Sequence, residues 1–214
     1  MKRAVLVAVL VSVVIGGGLA RMSGAAILNS AHDLTKVGGV TMPGGQTCVA
    51  CHTPHNADVT TADAPLWNHQ LSVTDYTMYS SPTFEGKDTM SGGPTGVSKL
   101  CMACHDGTVA VDAFGGMNHN DLHGNVKIGA IGTGSGNLGT NLKKSHPVSF
   151  DYDAALVAKD SELKDPTQAP ISNWVKGGRF ECSSCHDVHD NTGFEKMLHA
   201  SNAGSALCIT CHKK

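Results

Sequence analysis

The stretch Cys48-Val-Ala-Cys51-His52 decides the fold of this chain, because its spacing of two cysteines and a histidine occurs four times. The other three copies are Cys101-Met-Ala-Cys104-His105, Cys182-Ser-Ser-Cys185-His186 and Cys208-Ile-Thr-Cys211-His212. Together the four copies contain all 8 cysteines of the 214 residues, so no cysteine remains for another role.

The pattern C-x-x-C-H is the attachment site of c-type heme. The two thiols add to the two vinyl groups of the porphyrin, and the histidine that follows ligates the iron from one side. We therefore expect four covalently bound c-type hemes, each with its iron. The cysteines that would hold them are Cys48, Cys51, Cys101, Cys104, Cys182, Cys185, Cys208 and Cys211, and the proximal ligands are His52, His105, His186 and His212.

Eight cysteines in such a chain have two other uses. Four disulfides would suit a secreted chain, and paired C-x-x-C units also form zinc ribbons. Neither use requires a histidine after every second cysteine, whereas heme attachment does. The sequence therefore favours heme over disulfides and zinc.

Eight further histidines lie outside the motifs, which is more than the four that a second axial ligand at every iron would need. They are His32, His55, His69, His119, His123, His146, His189 and His199. This supply favours two histidines at each iron. Methionine is the competing ligand, with Met42, Met78, Met90, Met117 and Met197 available. A six-coordinate iron has no open position for a substrate, so electron transfer is expected and a catalytic site is not.

An internal repeat selects four of these histidines. Each half of the chain has an upstream histidine, a motif followed by a further histidine three residues on, and a second motif. Residues three apart on a short helical turn are neighbours, so the second histidine of C-H-x-x-H reaches an adjacent heme rather than its own. The predicted distal ligands are His32, His55, His146 and His189. His69, in PLWNH, is expected to stack or hydrogen-bond near a heme propionate.

The N-terminal residues have the features of a secretory leader. Lys2 and Arg3 precede an apolar run over 4–15, and small residues follow as far as Ala26, with Ala20 as a second cleavage candidate. No later segment is apolar enough to span a membrane. Without the leader the formal charge is about −5, and no basic patch suggests nucleic-acid binding. The leader implies export, either to the cell surface or extracellular space, or to the periplasm.

Composition and spacing predict the architecture. Aromatic residues are 5% of the chain and glycine is abundant at 25 residues, so the protein alone would build only a small core. The expected fold is a multiheme cytochrome c, mostly coil with short helices and little sheet, wrapped around a close-packed line of four hemes. One short helix is predicted over 153–164. The expected organisation is a leader (1–26), a first diheme half (27–123), a glycine-rich connection (124–145) and a second diheme half (146–214).

The motifs and several linking segments resemble known proteins. CHTPH and CHDVH, each paired with a later LC-x-x-CH, resemble the doubled CXXCH family of multiheme cytochromes. PLWNH, CMACHDGTVAVDAFGG, SHPVSFDYD and SNAGSALCITCH are similar to outer-surface tetraheme cytochromes of metal-reducing bacteria. The resemblance implies bis-histidine hemes stacked in a continuous line, in filaments where a distal histidine comes from the neighbouring subunit. His55 is the natural candidate for that histidine.

Three functions follow as hypotheses. The first is a filament that carries electrons away from the cell, with a homopolymer, other cytochromes and extracellular acceptors such as metal oxides as its partners. The second is a soluble monomeric shuttle between other cytochromes in the periplasm. The third, a reductase, would need an open iron, and its familiar signal, a motif with lysine in place of histidine, does not occur among the four motifs.

Overall fold

The computed structural model describes residues 27–115, 125–131, 136–189 and 192–213. The predicted leader, Met117, His119 and His123, and part of the predicted connection lie outside these residues. Over the described residues the backbone consists mostly of turns and irregular segments, with four short α-helices and one sheet of two strands. This agrees with the expected coil with short helices and little sheet.

The helices are short, and two of them contain heme-attachment motifs. They are α1 (Gly96–His105), α2 (Ala154–Lys159), α3 (Ile171–Trp174) and α4 (Cys208–Cys211). Single 3₁₀ turns occur at Leu34–Lys36, Pro43–Gly45, Glu85–Asp88, Ile128–Ala130, Lys176–Gly178, Cys182–Ser184, Glu195–Met197 and Ala203–Ser205. Three of the four motifs thus lie in helical turns, and the first lies in a non-helical turn.

Helix α2 is shorter than the sequence predicts. It begins as expected, because the Asp153 side chain accepts a hydrogen bond from the Leu156 backbone N–H at 2.9 Å and so caps the helix. It ends at Lys159 rather than at 164. The reason is a competing pairing, since the backbone N–H of Lys164 donates to Cys211 O at 2.8 Å and the chain there runs beside the fourth motif.

The only sheet in the described part of the chain joins two segments of the second half. Strand β1 (Phe150–Asp151) pairs antiparallel with β2 (Arg179–Phe180), with Phe150 opposite Phe180. The Arg179 guanidinium holds the pair together, because it donates to the Asp151 carboxylate at 2.7 Å and to Ser149 O at 2.7 Å. The sheet lies directly before the third motif and fixes the start of that motif.

The largest apolar core underlies the third and fourth motifs. It consists of Phe150, Tyr152, Leu156, Leu163, Ile171, Val175 and Phe180, with Cys185 and Cys211 packed against it. The first half has two smaller clusters, one around Phe114 and one around Trp67, and Cys51 packs against both. Each apolar cluster therefore touches a cysteine that would hold a heme. Over the described residues no helix is long and apolar enough to cross a bilayer.

Candidate heme-binding sites

All four motifs close into the same tight turn. The backbone N–H of the motif histidine donates to the carbonyl of the first cysteine: His52 to Cys48 at 2.9 Å, and His186 to Cys182 at 3.1 Å. His212 bonds to Cys208 in the same way at 3.0 Å, and the second motif forms the last turn of α1. The turn brings two thiols and an imidazole to one place, as attachment of one heme requires. All eight cysteines are free thiols, so the structure contains no disulfide between them.

Three of the proximal imidazoles are oriented by a backbone carbonyl. The Nδ1 atom lies 2.6 Å from Pro65 O in His52, 2.8 Å from Gly136 O in His105 and 3.0 Å from Lys196 O in His186. A carbonyl oxygen only accepts hydrogen bonds, so Nδ1 carries the proton. The lone pair therefore lies on Nε2, the nitrogen that would ligate iron.

Glycine at position 136 makes the second of these contacts possible. Gly136 has φ +78°, and a Cβ atom built on it would lie 3.1 Å from the His105 ring. A larger residue would push the ring away or change the backbone conformation. Gly136 is therefore part of the His105 site, although the sequence reasoning placed it in a connection.

The first and third motifs are each closed by a returning loop with the same geometry. The loop 65–68 returns to the first motif, with Thr53 N donating to Leu66 O at 2.9 Å and Asn68 N donating to Cys51 O at 2.9 Å. The loop 196–199 returns to the third motif, with Asp187 N donating to Met197 O at 2.7 Å. The structure thus extends the internal repeat beyond the motifs.

The last residue of each loop adds a side-chain bond to the interior of its motif. The Asn68 amide donates to Val49 O, and the His199 Nε2 donates to Ser183 O at 2.8 Å. The His199 ring also stacks on Trp174 with centroids 5.1 Å apart. His199 therefore holds the third motif in shape, a role that sequence reasoning did not assign to it. The observation that reveals this role is that His199 has the same position in its loop as Asn68 has in the other. That equivalence is visible only in the structure.

His69 lies in the interior beside the second motif. Its side chain is 1% exposed, and its ring nitrogens lie 2.8 Å from Gln70 O and 2.9 Å from Ala110 O. Its Nε2 is also 3.3 Å from the Cys104 sulfur. These contacts place His69 against a heme-attachment thiol and two backbone carbonyls.

Three predicted distal histidines face proximal histidines. The ring centroids are 6.0 Å apart for His32 and His105, 6.2 Å for His52 and His189, and 6.4 Å for His146 and His212. Burial, followed by the nearby His105 imidazole, lowers the pKa of His32, which favours the neutral form that ligates metals.

These separations fit an iron between the two rings of each pair. Two imidazoles bound to opposite sides of one metal ion have ring centroids roughly 6 Å apart, since each metal–nitrogen bond is about 2.0 Å and each nitrogen lies about 1.1 Å from its ring centroid. All three pairs match that value, and in each pair one ring belongs to a C-x-x-C-H motif. The arrangement fits bis-histidine heme iron.

His186 and the fourth predicted distal ligand, His55, are not brought together. Both side chains are exposed, and among the described residues neither has a ring contact with the other. His186 nevertheless has its Nδ1 oriented by Lys196 O like the other proximal rings. Its Nε2, the nitrogen that would ligate iron, therefore takes no part in that hydrogen bond.

The thiols of successive motifs adjoin one another. Burial, followed by the Cys51 thiol, raises the pKa of Cys104, whereas a hydrogen bond with Cys182, followed by burial, raises the pKa of Cys101. Burial and then the Cys211 thiol raise the pKa of Cys185 to about 11. The first motif therefore adjoins the second, the second adjoins the third, and the third adjoins the fourth.

Comparison with known families agrees with this site. Residues 174–214 match the family described as the doubled CXXCH motif, and the matched segment contains the third and fourth motifs. No curated protein matches the chain. The first and second motifs, outside the matched segment, have the same turn and the same proximal-histidine contacts. The matched family and the repeated site geometry together support a multiheme c-type cytochrome, a class of protein that carries electrons.

Proposed function

We propose that this chain is a secreted tetraheme c-type cytochrome that transfers electrons outside the cell and polymerises into a conductive filament through bis-histidine hemes. The resemblance to filament-forming outer-surface tetraheme cytochromes gives the outline of this proposal. The paired imidazoles and the exposed His55 and His186 support it at the level of residues.

The proposal assigns ligands to three hemes within one chain. Heme 1, held by the first motif, takes His52 and His189. Heme 2, held by the second motif, takes His105 and His32, and heme 4, held by the fourth, takes His212 and His146. Each assignment rests on a centroid separation of 6.0–6.4 Å. When bound, each heme supplies an iron that gains or loses one electron.

The proposed polymerisation depends on heme 3, the remaining heme. Heme 3 has His186 on one side, and its other ligand is proposed to be His55 of a neighbouring copy. The single observation behind this is that both imidazoles are exposed and stand apart, while the other three predicted distal ligands each face a proximal ring.

The internal repeat indicates which proximal histidine of the neighbouring copy His55 would contact. His189 follows the third motif as His55 follows the first, and His189 faces His52 of the first motif. The equivalent contact for His55 is His186 of the third motif. Because it would join unlike surfaces of two copies, the interface is head-to-tail, and such an interface builds a filament when it does not close into a ring.

The side chains of this protein fix and insulate the line of hemes. The thioether cysteines fix each position, the carbonyls of Pro65, Gly136 and Lys196 orient three proximal rings, and the apolar clusters exclude water beside Cys51, Cys185 and Cys211. With six-coordinate iron throughout, the chain carries electrons and has no catalytic site. Its partners would be further copies, other cytochromes and extracellular acceptors such as metal oxides.

Cryo-electron microscopy of the secreted, heme-loaded protein tests the proposal. Wild-type protein should form filaments with density joining His55 of one copy to heme 3 of the next, and His55→Ala should remain dispersed while it retains four hemes by mass. His119→Ala and His123→Ala are the controls, because these histidines have no proposed ligand role. Filaments of the His55→Ala variant would overturn the intersubunit ligand. Dispersed wild-type particles at every concentration would instead favour the periplasmic shuttle.

A further inference from the structure

The imidazole pairs assigned to hemes 1 and 2 differ in how their ring planes are turned. The planes of His52 and His189 lie 19° apart, so these two rings are nearly parallel. The planes of His32 and His105 lie 86° apart, so these two rings are nearly perpendicular. The centroid separations, 6.2 Å and 6.0 Å, are almost the same. The two pairs therefore offer an iron the same ligands at the same spacing, but in a different mutual orientation.

Backbone carbonyls fix the planes of the two proximal rings. The His52 Nδ1–H donates to Pro65 O at 2.6 Å, and the His105 Nδ1–H donates to Gly136 O at 2.8 Å. The chain at Gly136 also passes close to the His105 ring, since an added Cβ atom would lie 3.1 Å from its Nδ1 and Cε1 atoms. Hydrogen bonds of this kind hold the orientation of a metal-ligating histidine. The orientation of each ring is thus a property of the fold.

The distal ring assigned to heme 4 is held on two sides. The His146 Nδ1–H donates to Pro147 O at 2.8 Å, and the Phe180 ring lies 5.0 Å from the imidazole, centroid to centroid, with its plane tilted by 32°. Phe180 is 5% exposed and stacks on Phe150 at 5.3 Å, so the apolar core fixes its position. The plane of His146 lies 66° from that of His212, which is between the values of the other two pairs.

The mutual orientation of the two rings acts on the electrons of ferric heme, because axial ligation controls the electronic properties of the iron. Low-spin ferric iron has its unpaired electron in a set of two orbitals at right angles to each other. Each imidazole raises, by π overlap, the energy of the orbital perpendicular to its own ring. Parallel rings raise the same orbital and separate the two energies. Perpendicular rings raise one orbital each, so the energies become nearly equal and the g values of the iron spread further apart.

We infer that this protein contains two electronic classes of bis-histidine heme, with nearly parallel rings at heme 1 and nearly perpendicular rings at heme 2, and that Pro65 and Gly136 position the proximal rings that make the difference. Heme 4 lies between them. The inference rests on the ligand pairs of the proposed function, but not on polymerisation. Electron exchange between adjacent hemes depends on overlap of the orbitals that hold the unpaired electron. The residues that orient the rings therefore also influence transfer along the line of hemes.

Electron paramagnetic resonance of the fully oxidised, heme-loaded protein tests this inference at a concentration where the copies are assembled. The spectrum should contain low-spin signals of two kinds, one with a smaller and one with a larger maximum g value. His189→Ala should remove intensity from the first kind and His32→Ala from the second, and each variant should gain one high-spin heme in four.

The outcomes separate this inference from the proposed ligation. A variant that gains no high-spin heme would contradict the ligand pair itself. A high-spin heme gained at the expense of the other kind of low-spin signal would overturn the inference while leaving the ligand pair intact. A wild-type spectrum with low-spin signals of a single kind would overturn it as well.

Gly136→Ala tests the positioning of the His105 ring directly. The added methyl group would meet the ring at 3.1 Å, so the ring should turn. Since 86° is close to the largest possible angle, turning the ring lowers the angle, and the maximum g value of heme 2 should fall while the heme stays low-spin. The signal of heme 1 in the same sample should not change.

Gly139→Ala is the matched control. Gly139 also has a positive φ, at +66°, but an added Cβ atom has nothing within 4 Å. This variant introduces similar backbone strain without touching an iron ligand, so it should leave every signal as in the wild type. An unchanged heme 2 signal in Gly136→Ala, or the same shift in both variants, would show that Gly136 does not position the ring.

Discussion

The imidazoles of His52 and His189 face each other with ring centroids 6.2 Å apart and ring planes 19° from parallel, although they belong to opposite halves of the chain. His189 lies three residues after His186, so one short turn serves the third motif and reaches the first. A histidine in this position links two heme sites. The two halves of the chain would therefore be joined through metal coordination as well as through apolar contacts.

Replacing His189 with alanine should leave heme 1 without its distal ligand. Cys48 and Cys51 are unchanged, so the heme should stay covalently attached while its iron becomes five-coordinate and high-spin. Electron paramagnetic resonance and optical spectra, recorded at a concentration where the copies are assembled, measure this as the appearance of one high-spin heme in four. His199→Ala is the control, because its Nε2 bonds to Ser183 O, and that variant should remain entirely low-spin. Four low-spin hemes in His189→Ala would contradict the assignment.

Dilution should change the spin state of the wild-type protein. If His55 ligates heme 3 of the next copy, dissociated subunits lack one distal ligand, and about one quarter of the heme becomes high-spin. Assembly at higher concentration should reverse the change, because the coordination bond forms between copies. In His55→Ala the high-spin fraction should persist at all concentrations. A wild-type spectrum that does not depend on concentration would argue against a ligand shared between subunits.

The local structure of the C-x-x-C-H motifs could be predicted from the sequence, whereas the pairing of histidines from distant segments could not. The C-x-x-C-H spacing is contained within five residues, and the structure gives all four copies the expected tight turn. The sequence named four distal histidines but did not pair any of them with a heme, because the partners come from distant segments. The pairs His32 with His105 and His146 with His212 depend on tertiary packing that no local pattern encodes.

The two returning loops could not be predicted from the sequence, for a different reason. Residues 65–68 read PLWN and residues 196–199 read KMLH, so the two loops share no residue at equivalent positions. Their common function is performed by backbone groups, which donate to and accept from the motif in the same pattern. A repeat built from backbone hydrogen bonds leaves little trace in the side chains.

Glycine in one returning loop should stabilise the protein, whereas glycine in the other should not. Leu66 and Met197 both have positive φ, at +54° and +57°, and this conformation costs an L-residue about 1–2 kcal/mol. Leu66 is 53% exposed, so Leu66→Gly should raise the free energy of unfolding by up to about 1 kcal/mol.

Met197 provides the matched comparison, because it is 8% exposed. Removing a buried methionine side chain costs about 2–5 kcal/mol, which exceeds the relief of strain, so Met197→Gly should be destabilising. Guanidinium unfolding of the heme-loaded proteins, followed by far-ultraviolet circular dichroism, measures both values. Changes of the same sign in the two variants would contradict this account of the loops.

Tyr76→Phe should reduce the loss of stability at alkaline pH. Burial, followed by the hydrogen bond to the Asp106 carboxylate, raises the pKa of Tyr76 to about 12, whereas an unfolded tyrosine has a pKa of about 10. The folded state thus binds the phenolic proton more tightly. Its contribution to stability is complete below about pH 10 and is lost as the pH rises through about 12. The wild-type free energy of unfolding should therefore fall between these values, and the Tyr76→Phe variant should fall less steeply. Tyr79→Phe is the control for the loss of a tyrosine hydroxyl as such, since the bond to the Asp106 carboxylate comes from Tyr76. Equal slopes for wild type and Tyr76→Phe would mean that the phenol–carboxylate bond is absent from the folded protein.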